Sequence, residues 1–91
     1  MREMYIREQE AKDEAGRSHR FAYYILVDEM EVSGGFACES YGVKVTAPEE
    51  GESASVPNIT VRADRIDELA QKLIQGAVSP VNLRDVVMDW L

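Results

Sequence analysis

The sequence predicts an α+β fold, in which an antiparallel β-meander of three to four strands is followed by a C-terminal two-helix hairpin packed on one face. The first two thirds of the chain hold apolar, β-branched runs separated by turn residues, whereas the last third repeats apolar residues at helical spacing. Because the strand-like segments all precede the helix-like ones, an antiparallel sheet covered on one side is favoured. The length of 91 residues leaves room for one domain.

Four segments have the composition of β-strands, at about residues 3–12, 20–32, 36–47 and 58–62. The second is the clearest, because Phe21–Val27 is a continuous run of aromatic, β-branched and other apolar residues. Pro57 lacks an N–H and is therefore expected at the start of the fourth strand. The acidic stretch Glu49–Ser53 is predicted to be an exposed loop.

The hairpin between the second and third strands has a register that the sequence predicts. A three-residue loop at Ser33–Gly35 sets Ile25 opposite Val43. The same loop pairs Val27 with Tyr41 and Tyr23 with Val45. A two-residue Gly-Gly loop would set Ile25 against Lys44 and turn one apolar set toward the wrong face. The longer loop, with a glycine free to adopt positive φ, is therefore predicted.

The last third of the chain predicts two helices, at about residues 64–75 and 80–90. One apolar stripe marks the first helix and consists of Ile66, Leu69, Ala70, Leu73 and Ile74. Asp64 is predicted to be the N-cap of this helix, and Gly76 its left-handed stop. Ser79 and Pro80 are expected to start the second helix, because proline is tolerated at the first helical position.

The formal charge of −7 reflects 10 Lys and Arg residues against 17 Asp and Glu residues. A negative field repels phosphate backbones and anionic lipid, so neither nucleic acid nor a membrane is expected as a partner. The N-terminus lacks the apolar segment of a secretory signal, and we therefore expect a cytoplasmic protein. Cys38 is the only cysteine, which excludes an intramolecular disulfide and a multi-cysteine zinc site. No cofactor is predicted.

The C-terminal segment Val78–Leu91 contains the run Ser-Pro-x-x-Leu-x-Asp-Val-Val-x-Asp. Together with the Tyr41-Gly42-Val43 step and an apolar first helix, this run resembles a small bacterial domain family of unknown function found in clostridia and their Firmicute relatives. The resemblance implies a shared fold and a bacterial origin, and no activity. It also implies a histidine near position 82 and an acid near position 88, where this chain departs with Asn82 and Met88.

Asp85 and Asp89 are the weak metal-ligand candidates in this sequence. They are four residues apart on the second predicted helix and share a face, as two carboxylate ligands would. The simpler interpretation is a solvated face opposite Leu83, Val86 and Trp90, since a divalent cation needs more oxygen ligands than the sequence provides here. Two like charges near the C-terminal half of a helix are mildly unfavourable. We therefore predict no metal site.

No catalytic residues are predicted from the remaining polar groups. Cys38 and His19 are the only thiol and imidazole, but the register sets them at opposite ends of the hairpin, on the order of 35 Å apart. Glu29 faces Glu39 in the same register, with Glu31 beside them. Like charges directly opposite destabilise a sheet, so this end is expected to be exposed or to meet something basic, and exposure is the preferred interpretation.

The second strand is apolar on both of its faces. The apolar side chains at its odd-numbered positions are enough to pack against the two helices. Its even-numbered positions nevertheless also carry apolar residues, namely Ala22, Tyr24, Leu26 and Met30. A strand of this kind is normally covered on both sides. We expect this second apolar face to be covered either by the N-terminal strand folding over it or by another chain, which makes these four residues the interface candidates.

These observations favour a non-enzymatic, cytoplasmic protein-binding or regulatory domain. Its expected partner is either a second copy of the same chain, bound through the sheet as a homo-oligomer, or another protein. The rival hypothesis is a small metal-dependent module or enzyme that uses the acidic clusters. An acidic decoy for a basic protein would follow from the net charge alone.

Overall fold

The computed structural model describes residues 1–91, except for the side chain of Val32, and it confirms the α+β fold. The elements are β1 (Arg2–Lys12), β2 (Ser18–Val32), β3 (Phe36–Ala47), β4 (Glu52–Thr60), α1 (Ala63–Gln75), a 3₁₀ turn (Pro80–Asn82) and α2 (Leu83–Trp90). The four strands form one antiparallel sheet in the order β1-β2-β3-β4. In the described part of the chain, neither helix has the length and apolarity needed to cross a membrane.

The predicted register of the β2–β3 hairpin is confirmed. Ile25 pairs with Val43, and the loop Ser33–Gly35 closes the hairpin. Both of its glycines adopt positive φ, of 91° at Gly34 and 77° at Gly35. Because side chains alternate between the two sides of a strand, this register divides the sheet into two faces. We call the side that carries Ile25 and Val43 the helix face, and the opposite side the far face.

The helix face holds the core of the molecule. The odd-numbered residues of β2 and β3 pack against the apolar stripes of α1 and α2, and all five residues of the predicted α1 stripe are buried. Tyr23, in the middle of β2, is 1% exposed, and its hydroxyl donates a 2.9 Å hydrogen bond to the carbonyl oxygen of Val78 in the α1–α2 connection. Burial raises the pKa of the Tyr23 hydroxyl to about 12. This bond ties the connection to the centre of the sheet.

The sheet is longer than the helix layer that covers it. The molecule measures 55 × 23 × 17 Å, and its longest strand, β2, has 15 residues. Fifteen residues of strand extend about 50 Å, whereas the 13 residues of α1 extend about 20 Å. The tip of the β2–β3 hairpin therefore projects beyond the helices.

The fourth strand differs from the predicted segment 58–62. It starts at Glu52, so the turn shortens to Pro48–Gly51, and Pro57 lies inside the strand instead of at its start. A register shift accompanies the proline, because Tyr41 pairs with Thr60 while Val43 pairs with Val56. Asn58 adopts a φ of 56° within this bulge. A bulge accommodates the missing N–H of proline, and composition alone did not reveal it.

Gly42 lies opposite the bulge and permits a close approach of two backbones. A Cβ atom built at Gly42 would lie 2.3 Å from the carbonyl oxygen of Val56 and 2.6 Å from the Cα of Pro57. Both neighbours are backbone atoms, so neither can move without displacing β4. The Tyr41-Gly42-Val43 step therefore has a structural reason to contain glycine.

The N-terminus of α1 was predicted incorrectly at Asp64. The helix begins at Ala63, and the extended residue that precedes it is Arg62. Asp64 lies in the first turn, where its carboxylate accepts hydrogen bonds of 3.2 and 2.8 Å from the Arg62 guanidinium. This hydrogen bonding holds the pKa of Asp64 below its ordinary value.

The C-terminus of α1 also differs from the prediction. Gly76 is the C-cap with a φ of −86°, and the left-handed residue is Ala77, at a φ of 46°. The amide of Val78 donates to Leu73 and that of Ala77 donates to Ile74, which is the pattern of a Schellman motif. The motif places its left-handed residue one position later than expected, at a residue that adopts this conformation at some cost.

We predict that Gly42→Ala lowers the free energy of unfolding by about 2–3 kcal/mol, because the added methyl group clashes with backbone atoms of β4. Urea unfolding followed by circular dichroism measures this change. Gly76→Ala is the matched control, since its Cβ would have no neighbour closer than 3.4 Å. We expect a change of at most about 1 kcal/mol for the control. Equal midpoints for Gly42→Ala and wild type would contradict this account of the bulge.

Candidate functional site

The four interface candidates of β2 lie on the far face, but they differ in accessibility. Ala22 and Leu26 are each only 3% exposed, whereas Tyr24 is half-buried and Met30 is 41% exposed. Within this chain, Ala22 and Leu26 are already shielded. A partner approaching the far face would therefore meet Tyr24 and Met30.

Neighbouring side chains of the same sheet provide this shielding. β1 does not fold over the far face, because it lies beside β2 as an edge strand. The ring of Tyr5 on β1 packs edge-on against Tyr24, with 5.6 Å between centroids. On the other side, the Lys44 ammonium lies 5.5 Å from the centroid of the Tyr24 ring and 2.9 Å from the Glu3 carboxylate. Leu26 pairs with Glu3 on one side and Gly42 on the other, so the ion pair crosses the sheet beside it.

Tyr5 is a component of this face that the sequence reasoning missed. It pairs with Tyr24 across the β1–β2 ladder and is 58% exposed. The register of β1 on β2 could have identified Tyr5, but the bulge between Tyr5 and Arg7 hides that register. Tyr5, Tyr24, Met30 and Phe36 form the accessible apolar part of the far face, since alternation along β3 places the 72% exposed Phe36 on the same side as Cys38.

The charges on the far face nearly cancel. By strand pairing, this face carries the cations Lys12, Arg20 and Lys44 and the anions Glu3, Glu8, Glu10 and Asp28. Three cations against four anions leave a net charge of −1, compared with −7 for the whole chain. Ion pairs Lys44–Glu3 at 2.9 Å and Arg20–Glu8 at 3.6 Å connect some of these groups within the chain. The remaining surface therefore carries nearly all of the negative charge.

The two edge strands are poorly suited to pairing with another sheet. β1 carries charged side chains along its length and a register shift near Ile6. β4 contains Pro57 and the bulge at Asn58. Charges, prolines and bulges are features by which proteins block edge-to-edge association. A face of the sheet is therefore the better contact surface.

Asp85 and Asp89 are not brought together with further ligands. Asp85 lies in the first turn of α2, because the α-helix begins at Leu83 and not at residue 80. The unfavourable position near the helix C-terminus that we predicted therefore does not apply to Asp85. Asp85 lines a cavity beside His19, whereas Asp89 lines a second cavity beside Trp90. Among the described residues, no group of three His, Cys, Asp or Glu side chains is arranged to hold a metal ion.

The acidic tip of the hairpin has the predicted pairing. Glu29 lies opposite Glu39, and Glu31 is exposed nearby. The Arg2 guanidinium of β1 binds the Glu39 carboxylate at 2.8 Å. The Tyr41 hydroxyl also donates to Glu39, and partial burial followed by this carboxylate raises the pKa of the Tyr41 hydroxyl. Glu39 is thus neutralised within the chain while Glu29 faces it.

His19 and Cys38 are separated as predicted, since His19 pairs with Ala11 near the start of β2 and Cys38 pairs with Met30 near its end. The role of His19 was not predicted. In the protonated imidazole, one ring N–H donates to Asp13 at 2.9 Å and the other donates to Glu50. These two hydrogen bonds, with Asp13 the stronger influence, raise the pKa of His19. Both ring nitrogens are therefore occupied and unsuited to binding a metal.

We call this arrangement the His19 clamp, because it joins the β1–β2 turn to the β3–β4 turn. Asp13 also accepts backbone hydrogen bonds from Ala15 and Arg17. The hydrogen bond from His19 is the main cause of the lowered pKa of Asp13. The clamp borders a cavity of about 500 Å³, whose opposite wall is formed by the α1–α2 connection and Asp85. Sequence reasoning missed the clamp because Glu50 lies on a turn distant in sequence.

A model of a family of unknown function (DUF6514) matches residues 2–91. The chain belongs to this family. No curated protein and no solved structure matches the chain. The DUF6514 match confirms the resemblance seen through Val78–Leu91 and extends it over the whole sheet. Because DUF6514 carries no assigned activity, its function has to be argued from geometry.

We predict that the His19 clamp stabilises the fold most at mildly acidic pH. A raised histidine pKa contributes stability that is fully present below the ordinary value of 6.5 and is lost as the pH rises through the raised value. The lowered pKa of Asp13 contributes above its ordinary value of 3.8 and is lost below it. His19→Gln should therefore lower the melting temperature more at about pH 5.5 than at about pH 8.5.

Melting curves of wild type and His19→Gln across this pH range measure the effect. Glu50→Gln is the control that removes one partner and leaves the turn around Asp13 intact, and it should reduce the pH dependence partially. Parallel pH profiles for wild type and His19→Gln would show that the clamp makes no such contribution.

Proposed function

We propose that this DUF6514 chain is a non-enzymatic protein-binding domain that forms a homodimer through its far face. The observation that carries this proposal is an uncovered sheet face with accessible apolar side chains, at Tyr5 and Tyr24 in its middle and at Met30 about 20 Å further along β2. Exposed apolar surface of this kind is typical of interaction sites. Aromatic residues and methionine are also enriched in the centres of protein interfaces.

The charge of the far face is compatible with the approach of a second copy. Two copies of a chain with a charge of −7 repel each other, but the far face carries a net charge of only −1 by pairing. A two-fold axis would also bring the same patch of both copies together, which allows Lys44 of one copy to approach a carboxylate of the other. The electrostatic repulsion between the two copies is therefore small in the proposed orientation.

The size of the face supports a weak and reversible dimer. Four strands spaced about 4.8 Å apart give a width of about 19 Å, and the paired length of β2 and β3 is roughly 35 Å. The footprint is then roughly 600 Å² per copy, or about 1,200 Å² in total, which is the lower end of specific interfaces. We therefore expect the dimer to have a dissociation constant in the micromolar range.

The rival hypothesis of a metal-dependent module has less support. Asp85 and Asp89 open into different cavities, and Glu39 is already bound by Arg2. A divalent cation such as Mg²⁺ or Ca²⁺ needs several oxygen ligands on one site. Thermal shifts with Mg²⁺, Mn²⁺, Ca²⁺ and Zn²⁺ would reveal such a site, and we expect none that depends on Asp85.

We predict that Tyr5→Glu combined with Met30→Glu abolishes dimerisation without unfolding the chain, because the two residues are 58% and 41% exposed and neither belongs to the core. Each change introduces a desolvated carboxylate into the contact, which is costly. Light scattering coupled to size-exclusion chromatography, at concentrations from about 10 μM to about 1 mM, measures the mass. The variant should remain a monomer where the wild type dimerises.

The matched control is Met88→Glu on α2, where the methionine is 66% exposed and lies away from the far face. It adds the same type of charge and should leave the dimer intact. A wild-type protein that stays monomeric over the whole concentration range, or a control that dissociates as readily as the double variant, would overturn the proposal.

A further inference from the structure

The projecting part of the sheet leaves a groove on the helix face, next to the first turns of α1. We call it the acidic groove. Its floor consists of Met4, Ile25, Val27, Tyr41 and Ile66. Met4 is 51% exposed on this floor, although it belongs to a strand that otherwise carries mostly charged residues. The cavity above the floor has a volume of about 270 Å³.

The rim of the acidic groove is negatively charged and incompletely neutralised. Glu39 and Asp67 line the groove. Glu29 faces Glu39 across the β2–β3 ladder and lines a neighbouring cavity that shares Arg2 with the groove. Arg2 is the cation on the rim, and it binds Glu39. In the described part of the chain, neither Glu29 nor Asp67 takes part in an ion pair. Because Arg2 already neutralises Glu39, a cation brought to this rim would pair with the carboxylates of Glu29 and Asp67.

We propose that the acidic groove binds a basic amphipathic segment of a partner protein. In this arrangement one large apolar side chain of the segment contacts Met4 and the groove floor. Lysine or arginine residues on either side of it contact Glu29 and Asp67. This site lies on the opposite side of the sheet from the far face and does not depend on dimerisation there.

The size and charge of the groove distinguish this occupant from others. Pockets for small molecules usually enclose about 300–1,000 Å³, so a cavity of about 270 Å³ suits a single side chain better than a cofactor. A second copy of this chain would be repelled here wherever it presented an acidic part of its surface, because the carboxylates of Glu29 and Asp67 are not neutralised within the chain. Nucleic acid would be repelled for the same reason. A basic segment satisfies both the apolar floor and the acidic rim.

The probe for this proposal is a short synthetic peptide with leucine at helical spacing and lysine at the other positions, titrated by isothermal calorimetry at low salt. Two peptides serve as controls: one with every lysine replaced by glutamate, and one with the same composition in a non-amphipathic order. The protein variants are Glu29→Gln/Asp67→Asn and Met4→Ser. Their matched controls are Glu49→Gln/Glu52→Gln, which removes two exposed carboxylates, one in the β3–β4 turn and one at the start of β4, and Met88→Ser.

We expect each groove variant to weaken binding of the lysine peptide about fivefold, and each control variant to leave it within about twofold. Binding should weaken as salt is raised to about 0.5 M. The proposal is overturned if the control variants weaken binding as much as the groove variants, or if the non-amphipathic peptide binds equally well. No binding at low salt, or a change only in the protein's own oligomeric state, would also overturn it.

Discussion

The register between β2 and β3 is the constraint on which the rest of the structure depends. Because side chains alternate along a strand, pairing Ile25 with Val43 directs one set of apolar residues to the helices and the other set to the far face. A shift by one residue would bring Lys44 opposite Ile25 and break up the core. The hydrogen bond from Tyr23 to Val78, which fixes the helix connection, also requires Tyr23 to lie on the helix face. The short loop with two positive-φ glycines sets this register, and it therefore determines which residues lie on each face of the sheet.

The same sheet presents surfaces of different character because it extends beyond the helices. The far face is nearly neutral and has an apolar centre, and the acidic groove combines an apolar floor with unpaired carboxylates. At the other end of the sheet, the His19 clamp holds two turns together by charge-assisted hydrogen bonds. The negative charge of the chain is thus distributed unevenly, and this distribution supports different partners for the two faces.

Sequence reasoning succeeded where the signal was periodic and local. The α1 stripe and the β2–β3 register follow from spacing within a single helix or hairpin, and the structure confirms both. It failed where the backbone departs from regular geometry. Examples are the positive φ at Asn58, which lets β4 accommodate Pro57, and the left-handed Ala77 in place of Gly76. Alanine does not indicate a left-handed conformation, and asparagine, which adopts it more often than most residues, does not by itself indicate a bulge.

The candidate sites were predicted only in part, for a related reason. Tyr24 and Met30 could be assigned to the far face from alternation, but the burial of Leu26 depends on Glu3 and Lys44, which are distant in sequence. The His19 clamp depends in the same way on Glu50. Contacts between turns depend on how the strands are arranged in the sheet. Because the register of β1 on β2 could not be derived from the sequence, these contacts could not be predicted.

The most direct test of the central claim is an isotope-filtered nuclear Overhauser experiment on a mixture of labelled and unlabelled protein. If the register creates a far face through which two copies associate, intermolecular contacts should appear at the side chains of Tyr5, Tyr24 and Met30. Intermolecular contacts confined to the exposed helix residues Val81 and Met88, with none at the tyrosines, would contradict it.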